Sequence, residues 1–184
     1  EPLEDSYLST SLLTVIRKRI GWLIFLLVPS FLAAKVLEHY EAVSDKFEWL
    51  VLFIPLILAS GGNAGSQSAT LIIRAMALES NIQREELNAL LMKEFKLGLL
   101  LGSMLSLISF GISWAFTGAL MQATVVGLAV FLVVLMGISA GGMLPMGFRK
   151  LGMDPALMSN PFITALVDIL GLIIYFQVAM YIVS

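Results

Sequence analysis

An all-α membrane protein with five transmembrane helices per chain is the fold class this sequence predicts, and three observations predict it. The 184 residues are 59% apolar and only 13% charged, with a mean hydropathy of +0.94; a soluble domain is nearer 45–50% apolar and about 25% charged. Five separate apolar segments each reach the roughly 20 residues that a helical span requires. The basic residues also alternate between the connections. With the N-terminus cytoplasmic, Arg17, Lys18, Arg19, Arg74, Arg84, Lys93, Lys96, Arg149 and Lys150 fall on the inner side, and only Lys35 and Lys46 on the outer. An excess of Lys and Arg marks the cytoplasmic loops, so the reading is N-terminus in and C-terminus external.

Residues 1–14 read as a connecting juxtamembrane segment: "EPLEDSYLST" is acidic and lacks the basic n-region of a signal peptide. Residues 15–184 read as one five-span domain. Span one runs about 15–37, "VIRKRIGWLIFLLVPSFLAAKVL", and is followed by an external acidic loop, "EHYEAVSDKFE". Span two, about 48–77, contains "PLILASGGNAGSQSATLIIRAM", which places amides, hydroxyls and glycines where lipid favours Leu and Val. The segment 79–95 reads as a cytoplasmic helical hairpin or amphipathic helix. Span three, about 94–118, and span four, about 123–147, are joined by so few residues that they must be antiparallel neighbours. Span five runs about 160–183. Pro55 and Pro145 are expected to kink spans two and four, because proline removes a backbone donor. Tyr40, Trp49, Trp22 and Trp114 sit where aromatic belts meet the headgroups.

Composition narrows the chemistry. A net charge of −2 without a basic patch gives no nucleic-acid partner. No cysteine means no disulfide framework and no thiolate metal or redox site. The single histidine, His39, lies outside the spans, and there is no HExxH or Ser–His pair, so an enzyme is not expected.

One ionisable residue, Asp168, lies well inside a span. A carboxylate at a helix centre costs about 2.5–3.5 kcal/mol on insertion scales and marks a functional site by default. Asn160, Thr164, Asp168, Gly171 and Tyr175 recur at helical spacing and share one face, flanked by Phe162, Ile163, Leu166, Ile169, Leu172 and Ile173. A second stripe, Asn63, Gln67, Thr70 and Arg74, lies on one face of span two. Amide oxygens can ligate a hard cation or hold it through its waters. Gly61, Gly62 and Gly65 permit close helix approach or local unwinding. Two readings fit this stripe: an ion path, or interhelical packing by small residues and amides. Gly98, Gly102, Ser106 and Ser109, and the GxxxG pair Gly137 and Gly141, look like packing grooves. "SGGNAGSQ" and "SAGGMLPM" echo each other weakly in spans two and four.

The second-span stretch resembles the proline-plus-Gly-Asn-x-x-x-Gln signature of the MgtE magnesium channels and their eukaryotic solute-carrier relatives. "GMDPALMSNPFITALVDILGLIIYF" resembles the last span of that family, including its Asn-Pro and inward Asp. The resemblance covers essentially the whole chain. It implies a homodimer with one pore along the dimer axis, lined by spans two and five, in a cell (inner or plasma) membrane. By resemblance, Asp168 is the pore carboxylate that holds the ion, and Thr164 offers a backbone carbonyl to that site. Asn63 and Asn160 match motif asparagines near the pore. Gln67, Thr70 and Gly171 complete the expected lining. The implied activity is passage of hydrated Mg²⁺, and possibly other divalent cations, toward the cytoplasm. Typical members carry cytoplasmic regulatory domains, including a CBS pair, and none is expected within this chain. Two other classes remain open at this stage: a proton-coupled carrier of another divalent cation with Asp168 titrating, and a non-transporting membrane subunit in which both stripes are packing.

Overall fold

The computed structural model describes residues 11–78 and 84–183. Most of the juxtamembrane segment, 1–10, therefore lies outside the described residues. Six helices follow one another: α1 (Leu12–His39), α2 (Glu41–Lys46), α3 (Trp49–Leu78), α4 (Arg84–Thr117), α5 (Leu120–Lys150) and α6 (Pro155–Val183). Five of them are long and apolar enough to cross a membrane. The expected spans fall within these five, except that span two begins one residue before α3 and span three runs one residue past α4. Below, the end of the bundle carrying Arg17 is the Arg17 side, and the opposite end the Tyr40 side.

Local chemistry explains the boundaries. Ser11 caps α1, its hydroxyl accepting from the Thr14 N–H at 3.3 Å. The acidic loop contains a turn and a half of helix, α2. Of the segment 79–95, expected as a hairpin or an amphipathic helix, residues 79–83 lie outside the described residues. Residues 84–95 are helical and run straight on into span three as the first part of α4, a 34-residue helix. At 1.5 Å per residue that is about 51 Å, well beyond a hydrocarbon core of about 30 Å. Gly118 adopts φ +69° and turns the chain from α4 into α5. Gly152, at φ +72°, does the same before α6, whose first turn is capped by Asp154 Oδ1 accepting from Ala156 N–H at 2.9 Å. Helix continues through Pro55 and Pro145, and through Pro29 and Pro161 as well.

α5 is the hub. Val125, Val126, Val130, Val133 and Val134 have no exposed surface, and α3, α4 and α6 all pack on this helix. α1 lies outside the bundle with no buried residue; it rests on α6 through a ring cluster of Trp22, Phe25 and Phe162, which Phe148 of α5 also joins. Tyr40 does not project to the surface as a belt aromatic would. It is buried, stacks on Phe176 with centroids 4.8 Å apart, and its hydroxyl accepts from Gln177 Nε2 at 2.8 Å.

The glycines of α3 create close approach, not unwinding; none has positive φ. A Cβ on Gly65 would stand 2.8 Å from the Gly137 carbonyl oxygen, and one on Gly61 would stand 3.0 Å from that of Val133. Reciprocally, a Cβ on Gly137 or Gly141 would collide with the carbonyl of Gly61 or Gly65. The register advances by four on both helices together, so α3 and α5 run parallel and cross on backbone. Of the two echoing sequences, Gly65 of the first meets Gly141 of the second, while Gly61 and Gly65 also meet Val133 and Gly137, which precede the second on α5. Gly62 faces open space, contrary to the expectation that all three glycines pack. On α4, Gly98 and Gly102 meet Leu135, Ile138 and Phe131, and Ser106 Oγ donates to the Gly127 carbonyl at 2.7 Å. That stripe is packing, as expected.

Candidate ion-path residues on α3 and α6

α6 carries the first stripe past α3. Gly171 is buried, where a Cβ would meet Leu58 Cδ2 at 3.2 Å and Val133 Cγ1 at 3.4 Å. Tyr175 is fully buried and donates its hydroxyl proton to the Leu50 carbonyl of α3 at 3.0 Å. This residue of the stripe is thus a clamp between two helices. Nearer the Arg17 side, Asn160 and Thr164 are exposed, and the Thr164 hydroxyl donates to the Asn160 carbonyl at 3.1 Å within its own helix. Asp168 lies between the clamp and the exposed pair. It is half-buried, and no side chain among the described residues donates to its carboxylate. An unpaired carboxylate at mid-span is costly unless water, a cation or another chain meets it.

α3 has two unlike faces. Gly61, Gly65, Ser68 and Ala69 are buried, with Gly61 and Gly65 against α5 and the Ile163–Val167 edge of α6. Asn63, Gln67, Thr70 and Arg74 are exposed. Thr70 donates to the Ser66 carbonyl of its own helix at 2.8 Å. Asn63 and Gln67 line a groove of about 680 Å³, whose opposite wall is Leu101, Met104, Leu105 and Ile108 of α4. No residue of α6 lines that groove. Arg74, at the end of this stripe, could turn toward the headgroups or pair with an acid such as Glu79, which lies outside the described residues.

Sequence patterning missed Glu94. It is buried on α4, accepts from Ser68 Oγ at 2.6 Å, and the same hydroxyl lies 3.2 Å from the Ile138 carbonyl. A signal existed: stepping back four residues from Gly98 along the face Gly98, Gly102, Ser106 lands on Glu94. Among the described residues no group of three or more His, Cys, Asp or Glu could hold a metal ion.

Five long apolar helices, three of them packed on α5 and α1 lying against α6, with polar stripes at mid-span, define a multi-pass membrane protein. A sequence model of the MgtE family, described as a divalent cation transporter, matches residues 54–178. Over 162 residues, 88% of the chain, it is 39% identical to the magnesium transporter MgtE of Thermus thermophilus. Over the same share it is 33% identical to that of Enterococcus faecalis and 31% to that of Bacillus subtilis. The chain spans 35% of the Thermus protein's length and 36% of each of the others. This chain belongs to the MgtE family, which is a family of transporters and not of enzymes.

Proposed function

We propose that this chain is the ion-conducting domain of a homodimeric Mg²⁺ channel, passing the hydrated ion toward the cytoplasm along the two-fold axis. The observation that carries the reading is the placement of Asp168, unpartnered and half-buried at mid-span, in a bundle whose centre is filled by α5. Valines of α5 pack the middle of the bundle, and Asp168, Asn63 and Gln67 lie toward its surface, which supports a path between two copies of the chain. One carboxylate is a poor divalent site; two facing copies give a formal charge of −2.

Mg²⁺ keeps its octahedral oxygens and sheds water reluctantly. A pair of carboxylates attracts the hydrated ion without replacing its shell, and conduction needs binding weak enough to release. Asn63 and Gln67 would orient the ion's waters without adding charge, with Asn160, Thr164 and Thr70 completing the lining, and Gly171, buried against Leu58 and Val133, standing behind it. The excess of basic residues on the Arg17 side, nine of the eleven, supports a cytoplasmic placement of that side.

The test is Mg²⁺ flux into proteoliposomes. Asp168→Ala and Asp168→Asn are expected to fold as the wild type yet lose at least about tenfold in flux at micromolar-to-millimolar Mg²⁺. Normal flux and normal Mg²⁺ affinity in folded Asp168→Ala would remove the carboxylate from the path.

A further inference from the structure

Glu94 takes no part in the path above, yet among the described residues it is the one ionisable side chain of an acid or base buried in the bundle, at 7% exposed. Its carboxylate, the Ser68 hydroxyl and the Ile138 carbonyl join α4, α3 and α5 at one point. A hydroxyl carries a single proton, and at 2.6 Å against 3.2 Å the carboxylate takes the larger share of it.

The surroundings give this bond its weight. The α3–α5 crossing rests on Gly61, Gly65, Gly137 and Gly141, whose missing side chains leave backbone against backbone. Helices are normally held in register by ridges that sit in grooves. A glycine crossing has few ridges of its own, so the rotation of α3 is set by the buried side chains on either side of it, Ile57, Ala69 and Ile72, and by directional bonds. Two hydrogen bonds flank the crossing. Tyr175 holds the Leu50 carbonyl near the Tyr40 side, and Glu94 holds Ser68 toward the Arg17 side. Asn63 and Gln67 lie between these two points on the exposed face, and Gln67 is the residue next to Ser68.

We infer that the Glu94–Ser68 hydrogen bond fixes the rotation of α3, making Glu94 and Ser68 positioning residues for the Asn63–Gln67 face. The rotational claim stands on packing alone; its consequence for transport rests on the ion-path reading above. A side-chain atom about 6 Å from a helix axis moves about 2 Å for a rotation of about 20°, and misplacements of that order cost up to about a hundredfold in rate where geometry matters.

The chain has no cysteine, so a single introduced one reports cleanly. A spin label on Ala59→Cys, at the α3 groove wall, is compared with one on Ile112→Cys, on the exposed face of α4, in the full protein in liposomes. Ser68→Ala and Glu94→Ala are expected to shift the spectrum at position 59 and leave that at 112 unchanged. In the same variants maximal Mg²⁺ flux falls about tenfold, while the half-saturating concentration, set by Asp168, moves less than about twofold. Glu94→Gln keeps a hydrogen bond to Ser68 and stays near wild type in both readouts. An unchanged spectrum at 59 in folded Ser68→Ala overturns the inference whatever the flux does, and so does Glu94→Gln behaving like Glu94→Ala. Failure of the ion-path reading shows separately, as normal flux in Asn63→Ala and Gln67→Ala.

Discussion

Within α3, single-residue steps decide between packing and exposure. Gly61 is pressed on the Val133 backbone, Gly62 meets nothing, and Asn63 faces outward beside a groove. A helix turns 100° per residue, so a segment that alternates glycine and amide can place the small residues on one face and the hydrogen-bonding ones on another. The two readings of "SGGNAGSQ" are therefore both served, by different residues: Gly61, Gly65 and Ser68 are buried, while Asn63 and Gln67 are free to meet water, an ion or a second chain. Amides kept only for packing would be buried and hydrogen-bonded to neighbouring helices, and these are not. Asn63→Ala and Gln67→Ala are expected to change thermal stability by less than about 0.5 kcal/mol, as exposed substitutions do, while lowering Mg²⁺ conductance severalfold in single-channel or flux recordings. Normal conductance with an early melting transition would make these residues packing elements after all.

The α3–α5 crossing sets how close two helices come, and substitution within it can be sized. Gly65→Leu would force side-chain atoms into the Gly137 carbonyl and Ile163. Overpacking a tight site costs typically 1–3 kcal/mol, and backbone atoms cannot yield as side chains do. The expected outcome is about 3 kcal/mol or more of destabilisation, read as loss of the folded peak in size-exclusion and a lower melting temperature. Gly62→Leu, three residues earlier and facing open space, is expected to leave the protomer fold intact; equal damage from both would contradict the crossing. The spans themselves were legible because lipid demands about 20 apolar residues in a row, and the α4 stripe because small residues recur at helical spacing. Glu94 and Tyr40 were not, since their environments come from residues distant in sequence. Glu94 sits at the edge of an apolar run like any interfacial acid until Ser68 and Ile138 are brought to it. Tyr40 reads as a belt aromatic until α6 folds back and Phe176 stacks on it. Asp168 was legible as an exception to its surroundings, but its lack of a partner is a property of the packed bundle.

For the whole molecule, the question is what stands opposite Asp168. Among the described residues of the chain nothing does, and the middle of the bundle is filled by α5. If two α6 helices face each other across an axis and hold a hydrated Mg²⁺, the spacing follows from the ion. Mg–O bonds are about 2.1 Å and each water donates to a carboxylate at about 2.8 Å, bent at the water, so the two carboxylate oxygens stand roughly 8–10 Å apart. A disulfide needs Cα atoms within about 7 Å. Cysteines at Thr164 or Asp168 are therefore expected to join two chains through a bifunctional thiol reagent of about 10 Å, and not by direct oxidation. A cysteine at Ile112, exposed on α4, serves as the comparison and is expected to give little crosslinked dimer. The cysteine-free background assigns every crosslink to the introduced position. Mg²⁺ present during the reaction should protect the Thr164→Cys pair, where Asp168 is intact, and not the Asp168→Cys pair, which has lost the ligand. Crosslinking at 112 alone would move the interface to α4 and leave Asp168 facing lipid, where an unpaired carboxylate is not sustainable. Rapid direct disulfides at 168 would mean a gap too narrow for the hydrated ion, and the path would have to lie elsewhere.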